Sequence, residues 1–450
     1  MRRTIALLVP VLAAAVLAPP AAAQSGDSDG IFPFPWHRID LDNGFRAYFV
    51  EAGAPGQIAY VSMVRTGARD EVETGRTGFA HFFEHMMFRG TDKYPNYDAV
   101  TERIGAARNA FTSNDMTVYY VVAASDYLEQ IVDLESDRFK NLKYPEQAFR
   151  TEAGAVLGEY QNSANSAFSV LDRTVRETAF QEHTYRHQTI GFEQDVRAMP
   201  EGYQYSIDFH RRFYRPENVV LVIAGDFDVA EAERLVREHY EDWEPGYQPP
   251  DIPIEPVQTE RRTEVVEYDG RTLPIVSLNW KGPAWDPDDR IAVAAEVLGA
   301  VAFGSNSDLY RQLVIEEQKV QFLQAGFFLS RDPDLLSVTT MVTDPANVDE
   351  VRADVLAEAR RFQSELVEPD ELAATKSAMK YGFLMGLETA QDAAFALIGT
   401  VIDTGTAEAL NRYYETLESV TPEDVREAAR RYLVEQKLTD VTLVQKEGIS

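Results

Sequence analysis

The feature that most constrains the fold is that the chain repeats itself. With Gly67 set against Gly282, the run AHFFEHMMF (80–88) aligns without a gap on AEVLGAVAF (295–303). Likewise HRRFY at His210 to Tyr214 and ARRYL at Ala429 to Leu433 each precede an apolar strand near the end of their half. Between the halves runs WEPGYQPPDIPIEP, Trp243 to Pro256, whose prolines stiffen the connection and break both helix and strand. Duplication of one α/β unit accounts for the place of this linker and for two halves of similar length. Chance similarity over such short runs is the competing explanation.

Only the first copy carries reactive side chains at the aligned positions, because His81, Glu84 and His85 face Glu296, Gly299 and Ala300. The stretch Phe79 to Phe88 holds no Gly or Pro, and its bulky apolar residues suit a buried helix. Residues four apart in a helix share a face, so the imidazoles of His81 and His85 can hold one cation, with Glu84 at the edge of that face. Two neutral imidazoles supply half of a tetrahedral Zn2+ site, and a carboxylate that does not bind the metal can take a proton from water. Two core histidines in an aromatic helix are the bland alternative. With seven histidines in the whole chain, the pattern arises by accident on the order of once in a hundred such sequences.

Local patterns place these residues in a mixed chain. Trp36 to Val50 reads as two strands around Asp42-Asn43-Gly44, and Ile58 to Val64 as a third. Asn96 caps a short helix from Tyr97 to Ile104, and Arg108 to Thr112 and Thr117 to Ala123 alternate as a hairpin does. Helices follow from Ser125 to about Asn141 and from Pro145 to about Gln161. The second of these carries Glu152 and Glu159 two turns apart on one face, where each is either a metal-site residue or a solvated surface carboxylate. A further helix covers Val170 to Ala179. His183 and His187 also stand four apart, but in a polar, loop-like stretch with no carboxylate in the base position, so no second metal is assigned to them. A buried strand at Val219 to Ala224 and a helix at Val229 to Tyr240 precede the linker; beyond it come a strand at Ile275 to Trp280 and an Ala-rich helix from Ile291.

Composition narrows the classes of function. Without cysteine there are no disulfides, thiolate ligands or cysteine nucleophiles, so zinc must be held by nitrogen and oxygen. A formal charge of −30 argues against nucleic acid or anionic lipid as partner. Residues 1–23 read as a signal peptide: Arg2 and Arg3, an apolar run from Ile5 to Leu17, then Ala21-Ala22-Ala23. The mature protein is expected to begin near Gln24, to be exported, in the first instance to the periplasm, and to keep no membrane span.

Over nearly the whole mature chain the sequence resembles the pitrilysin family of inverted zinc peptidases, which includes insulin-degrading enzyme and the mitochondrial processing peptidase. The likeness rests on HFFEH (81–85), RNAFTSNDMTVYY (108–120), EAGAVLGE (152–159) and YRPENVVLVIAGDF (214–227). The resemblance implies an α/β (α+β) fold of two homologous halves, each a mostly antiparallel sheet covered by helices, enclosing a chamber. It divides the chain into a zinc-bearing domain (31–243), a linker (244–258) and an inactive repeat domain (259–450). It implies Zn2+ held by His81, His85 and Glu159, with Glu152 supporting the ligands, Glu84 as general base, and Asn109 and Ala110 on an edge strand that pairs with substrate peptide. Complete enzymes of this family carry an Arg and a Tyr seven residues apart in the second half; here those places hold Val314 and Gln321. The expectation is a zinc endopeptidase working as the catalytic subunit of a heterodimer, with a related metal-free subunit supplying the pair. A non-catalytic peptide-binding or scaffolding subunit is the alternative.

Overall fold

The computed structural model describes residues 24–26 and 30–448; residues 1–23, expected from the sequence to be a signal peptide, lie outside them. Seven strands form the first sheet: β1 (Gln24–Gly26), β2 (Trp36–Asp40), β3 (Arg46–Val50), β4 (Gln57–Val64), β5 (Ala107–Thr112), β6 (Thr117–Ala124) and β7 (Val219–Gly225). Their order is β1-β2-β3-β7-β4-β6-β5. Five form the second: β8 (Arg262–Tyr268), β9 (Ile275–Lys281), β10 (Val320–Gly326), β11 (Leu335–Val342) and β12 (Leu438–Gln445), in the order β10-β11-β9-β12-β8. Read from β5, the first sheet runs β5-β6-β4-β7-β3, strand for strand the order of the second. The one parallel pair falls at the same place in both, β3 with β7 and β8 with β12. The repeat is therefore one topology built twice. Strand β8 has no counterpart among the expected elements, because RTEVVEY is charged and largely exposed and carries only a weak alternating signal.

One face of each sheet is covered by its own helices. In the first half these include α1 (Phe79–Met86), α3 (Leu128–Asn141) and α4 (Glu146–Ser163), whose apolar residues join β4 and β7 in one core, while α2 (Tyr97–Arg103) packs Tyr97 and Val100 on Leu134 of α3. The opposite faces are covered by exchange. Helix α5 (Ala167–Ala179) leaves the first half and packs Leu171 and Val175 on Ile275, Val441 and Leu443 of the second sheet. The helix Ala390–Thr404 of the second half packs Leu397, Ile398 and Val401 on Val61, Val220 and Val222 of the first. Each sheet thus needs the other half to bury its second face.

The turn between β10 and β11 adds polar contacts between the halves. Asp332 accepts from Arg69 Nε at 2.6 Å and lies 3.0 Å from His183 Nε2. Asp115 accepts from the Tyr185 hydroxyl at 2.7 Å and from the Arg331 backbone amide at 3.3 Å. His183 Nδ1 accepts from the Tyr185 amide while its Nε2 faces Asp332, and His187 Nδ1 contacts the Gln188 carbonyl. Among the described residues no helix is long and apolar enough to cross a membrane.

Candidate active site

Helix α1 forms because Phe79, Ala80, Phe82, Phe83 and Met86 all face the core, leaving His81, Glu84 and His85 on the remaining stripe. Its start is forced by Gly78, at φ +90, where a Cβ would come within 2.5 Å of the Ile190 carbonyl. The free amides of the first turn are met by a buried carboxylate from upstream. Glu71 accepts from Gly78 N at 2.7 Å and Ala80 N at 2.6 Å. Burial pushes the Glu71 carboxyl up to about 8 in spite of these bonds. Helix α4 lies against α1, with the Phe82 and Phe149 rings edge to face at 5.0 Å, and this packing brings Glu152 and Glu159 to the histidines.

His81, His85 and Glu159 converge, with one potential ligand atom from each lying within 4.8 Å of the others. His81 Nε2 is 3.7 Å and His85 Nε2 3.6 Å from the same Glu159 oxygen. A tetrahedral ion with bonds of ~2.1 Å requires ligand separations of roughly 3.4 Å, so small movements seat one. The donor set fits zinc: two imidazoles and a carboxylate, with room for a fourth partner on the solvent side, where Glu159 is 49% exposed. Burial, aided by the neighbouring His85, pulls the His81 pKa down to about 4, so its imidazole is neutral at neutral pH, as a ligand must be. Among the described residues no other three such side chains converge in this way.

Glu152 accepts from His85 Nδ1 at 2.8 Å and is also bonded by the Arg89 guanidinium. This fixes the tautomer that leaves the His85 Nε2 lone pair facing Glu159. Glu84 is not one of the converging ligand groups; it lines a cavity with His85 and accepts from the Thr112 hydroxyl at 2.7 Å. Burial raises its pKa; the Thr112 hydrogen bond and His85 oppose the shift, and Glu159 adds to it. A carboxylate moved towards neutrality is better matched to proton transfer at that pH.

Thr112 ends β5, which pairs only with β6 and is the edge of its sheet. Asn109 is exposed and Ala110 buried on this strand. The Glu84 side chain therefore sits beside an unpaired row of backbone donors and acceptors. A 410 Å3 cavity opens at Glu84 and His85, and one of 260 Å3 at His81 and Glu159, so open space flanks the site on two sides. A larger cavity, of 870 Å3, opens beside Glu71, His183 and His187 and is lined by none of the triad; volume alone does not locate the chemistry.

Three supporting residues lay outside the expected set. Thr112 and Arg89 fall inside recognisable stretches but have no spacing rule that ties them to Glu84 or Glu152, while Glu71 reaches α1 across a turn. In the second half Gly299 takes the place of Glu84, and a Cβ there would lie 2.6 Å from the Phe327 ring. The repeat has filled its copy of the site with an aromatic side chain. Val314 is partly buried against the second core, and Gln321 is exposed. Neighbouring Arg311 is engaged by Asp308 at 3.0 Å.

Residues 50–192 match the family described as Insulinase (Peptidase family M16), and residues 203–379 match that described as Peptidase M16 inactive domain. The zinc protease PqqE of Helicobacter pylori is 25% identical over 415 residues, 90% of this chain and 92% of that protein. A protease crystal structure from the same organism superposes with a TM-score of 0.84 at 24% identity, covering 90% of this chain and 98% of that one. The periplasmic protease PqqL of Escherichia coli superposes with a TM-score of 0.75 at 18% identity, covering 96% of this chain and 48% of that one. The two-sheet fold, the duplicated topology and zinc-protease relatives matched along most of their length agree in making the chain peptidase-like. It belongs to the M16 family, the insulinase and pitrilysin peptidases.

Proposed function

We propose that the protein is a zinc-dependent endopeptidase of peptides or unfolded segments, exported by its first 23 residues and active in the periplasm. The observation that carries this is the convergence of His81, His85 and Glu159 next to Glu84 and the open edge of β5. An extended peptide added to β5 gains main-chain hydrogen bonds, so affinity does not depend strongly on its sequence. Asn109 and Ala110 are where its backbone pairs, and Thr112 steers Glu84 towards the bond to be cut. Zinc, when bound by the triad, supplies a Lewis acid that polarises the scissile carbonyl and makes water acidic enough to ionise near neutral pH. Glu84 takes the proton released by the attacking water and returns it to the departing amine. Glu152 holds His85 in the productive tautomer throughout, and Arg89 holds Glu152.

Val314 and Gln321 stand where an Arg and a Tyr would reach across to the substrate, and this supports a division of labour in which a related, metal-free subunit supplies the pair. The same departure, with the inactive-domain match over 203–379, favours a second reading as a non-catalytic peptide-binding or scaffolding subunit. Zinc stoichiometry with cleavage of a mixed peptide library separates them, comparing the chain alone, Glu84→Gln, and the chain with any co-purifying partner. Cleavage that needs the partner and vanishes in Glu84→Gln supports the split-site peptidase. Zinc binding without cleavage in any arm leaves the binding subunit, and full activity of a monomeric chain removes the need for a partner.

A further inference from the structure

The edge strand leads out of the active site into a second space. β5 ends at Thr112, and two residues on, Asn114 lines both the 260 Å3 cavity at His81 and Glu159 and another of 540 Å3. Asp172 and Arg176 of α5 also line both, so the two spaces adjoin at a polar neck. That neck is braced, since Arg176 Nε donates to Asp172 at 3.1 Å and Gln188 Nε2 donates to the same carboxylate at 2.8 Å.

The larger space lies between α5 and the part of the second sheet that α5 does not cover. Its floor is polar, with Ser277 and Thr339 hydroxyls 3.0 Å apart beside Asn279. Its walls include Phe168 of α5, Phe322 of β10 and Phe328 of the following turn. Phe168 is 49% and Phe328 76% exposed, an unusual state for such large apolar side chains in one cavity. The Phe168 and Phe322 ring centroids stand 6.1 Å apart across the boundary between the halves. On the first sheet the corresponding face over β5 and β6 is covered, while the β5 edge stays open: Phe395 from the exchanged helix lies edge-on to Phe111 at 5.9 Å and to Tyr120 at 5.2 Å. The first sheet has this region covered by a ring that the second half supplies, and the second sheet leaves rings standing around a void.

We propose that this void is a specificity subsite of the peptidase and takes a bulky aromatic side chain of the substrate, several residues from the scissile bond. The inference rests on the peptidase reading above. A peptide paired along β5 is carried past Thr112 to Asn114 and through the neck by the direction of the strand. An aromatic ring entering the void packs against three phenylalanines. A tyrosine hydroxyl or indole N–H also finds partners in the polar floor, which a buried Tyr or Trp requires. Phenylalanine meets the walls and leaves the floor unpaired, and alanine meets neither, so the order of preference is Tyr and Trp, then Phe, then Ala.

The test is a matched series of peptides carrying Tyr, Trp, Phe or Ala at each position flanking the cleaved bond, assayed with the zinc-loaded chain and its partner if cleavage requires one. At one position kcat/KM for Tyr should exceed that for Ala by about tenfold or more. In the double variant Phe168→Ser/Phe328→Ser that ratio should fall to within about twofold of unity. Both side chains are exposed, so the variant leaves no hole in a core. The exposed Tyr381→Ala, on the helix Pro369–Met385, should leave the ratio unchanged. Absence of an aromatic preference, or its survival in the double variant, overturns the proposal. A second measurement does not need turnover: binding of the same peptides to zinc-loaded Glu84→Gln by fluorescence anisotropy. Tyr should bind at least about fivefold tighter than Ala, and equal affinities overturn the subsite whether or not any peptide is cut. The peptidase reading fails separately, by the absence of any zinc-dependent cleavage that Glu84→Gln abolishes.

Discussion

Replacing Glu152 by alanine removes the acceptor from His85 Nδ1 and leaves the Arg89 guanidinium without its carboxylate. The contact is 2.8 Å long, and Glu152 is only 9% exposed, so water does not easily take its place. A hydrogen bond to a charged group in such a setting contributes about 1.5–3 kcal/mol. At ~1.4 kcal/mol per decade that is a loss of roughly 10- to 100-fold in zinc affinity, the range found when a carboxylate behind a metal-bound histidine is removed. Glu152→Gln keeps a neutral acceptor for Nδ1 and should fall between alanine and the native residue. Alanine is the better helix former, so unravelling of α4 does not account for a loss. Competition with a chelator of known affinity measures the effect, and thermal unfolding of the metal-free proteins separates it from a change in stability. An affinity for Glu152→Ala within about threefold of the native value would refute the claim that Glu152 orients His85.

Glu84→Gln should lower kcat by about 10²- to 10⁴-fold while zinc content is unchanged, because the side chain bonds Thr112 and is not one of the triad. Lys281 is buried with its ammonium over the Phe180 ring, and burial pulls its pKa down to about 7 although Glu255 opposes the shift. Between that value and the unfolded value near 10.5 the unfolded chain holds a proton the folded one lacks, so stability rises with pH across this window. Lys281→Met should therefore stabilise the protein by up to roughly 5 kcal/mol at pH 6, less what the lost Glu255 contact costs, with most of the gain lost by pH 10, as read from denaturation midpoints at both pH values. Burial raises the Asp332 pKa, but hydrogen bonds from His183 and Arg69 outweigh it and hold the carboxyl below its usual range. Its stabilisation is present above about pH 4 and is lost as pH falls further, so Asp332→Ala should cost about 1–3 kcal/mol at pH 7 in urea denaturation, with the gap closing in acid. Gly299→Glu should lower Tm, since the Phe327 ring occupies the space the new side chain would need; a melting curve checks this.

The most legible parts of this protein were those governed by neighbours along the chain. The i, i+4 spacing of His81 and His85 and the two-turn spacing of Glu152 and Glu159 follow from helical periodicity, and α1 and α4 present those faces as expected. The alternation of Arg108 to Thr112 and Thr117 to Ala123 likewise became β5 and β6. The family resemblance added the pairing of α1 with α4, which no local rule supplies. Strand β8 escaped because charged residues interrupt its short apolar pattern and most of its side chains are exposed, so what holds it is parallel pairing to β12 with only Val266 and Tyr268 packed on apolar neighbours.

By itself, then, the sequence determined that the chain is a duplicated α/β unit with a complete metal kit in one copy only. Tertiary structure alone decided how the copies depend on each other and what surrounds the kit. That α5 and the helix Ala390–Thr404 cross to opposite sheets, that Thr112 bonds Glu84, that Glu71 caps α1, and that Phe168, Phe322 and Phe328 share one cavity all depend on packing between distant residues. Such contacts are selected by the shape and burial of whole surfaces, and the residues that make them carry no periodic mark in the chain.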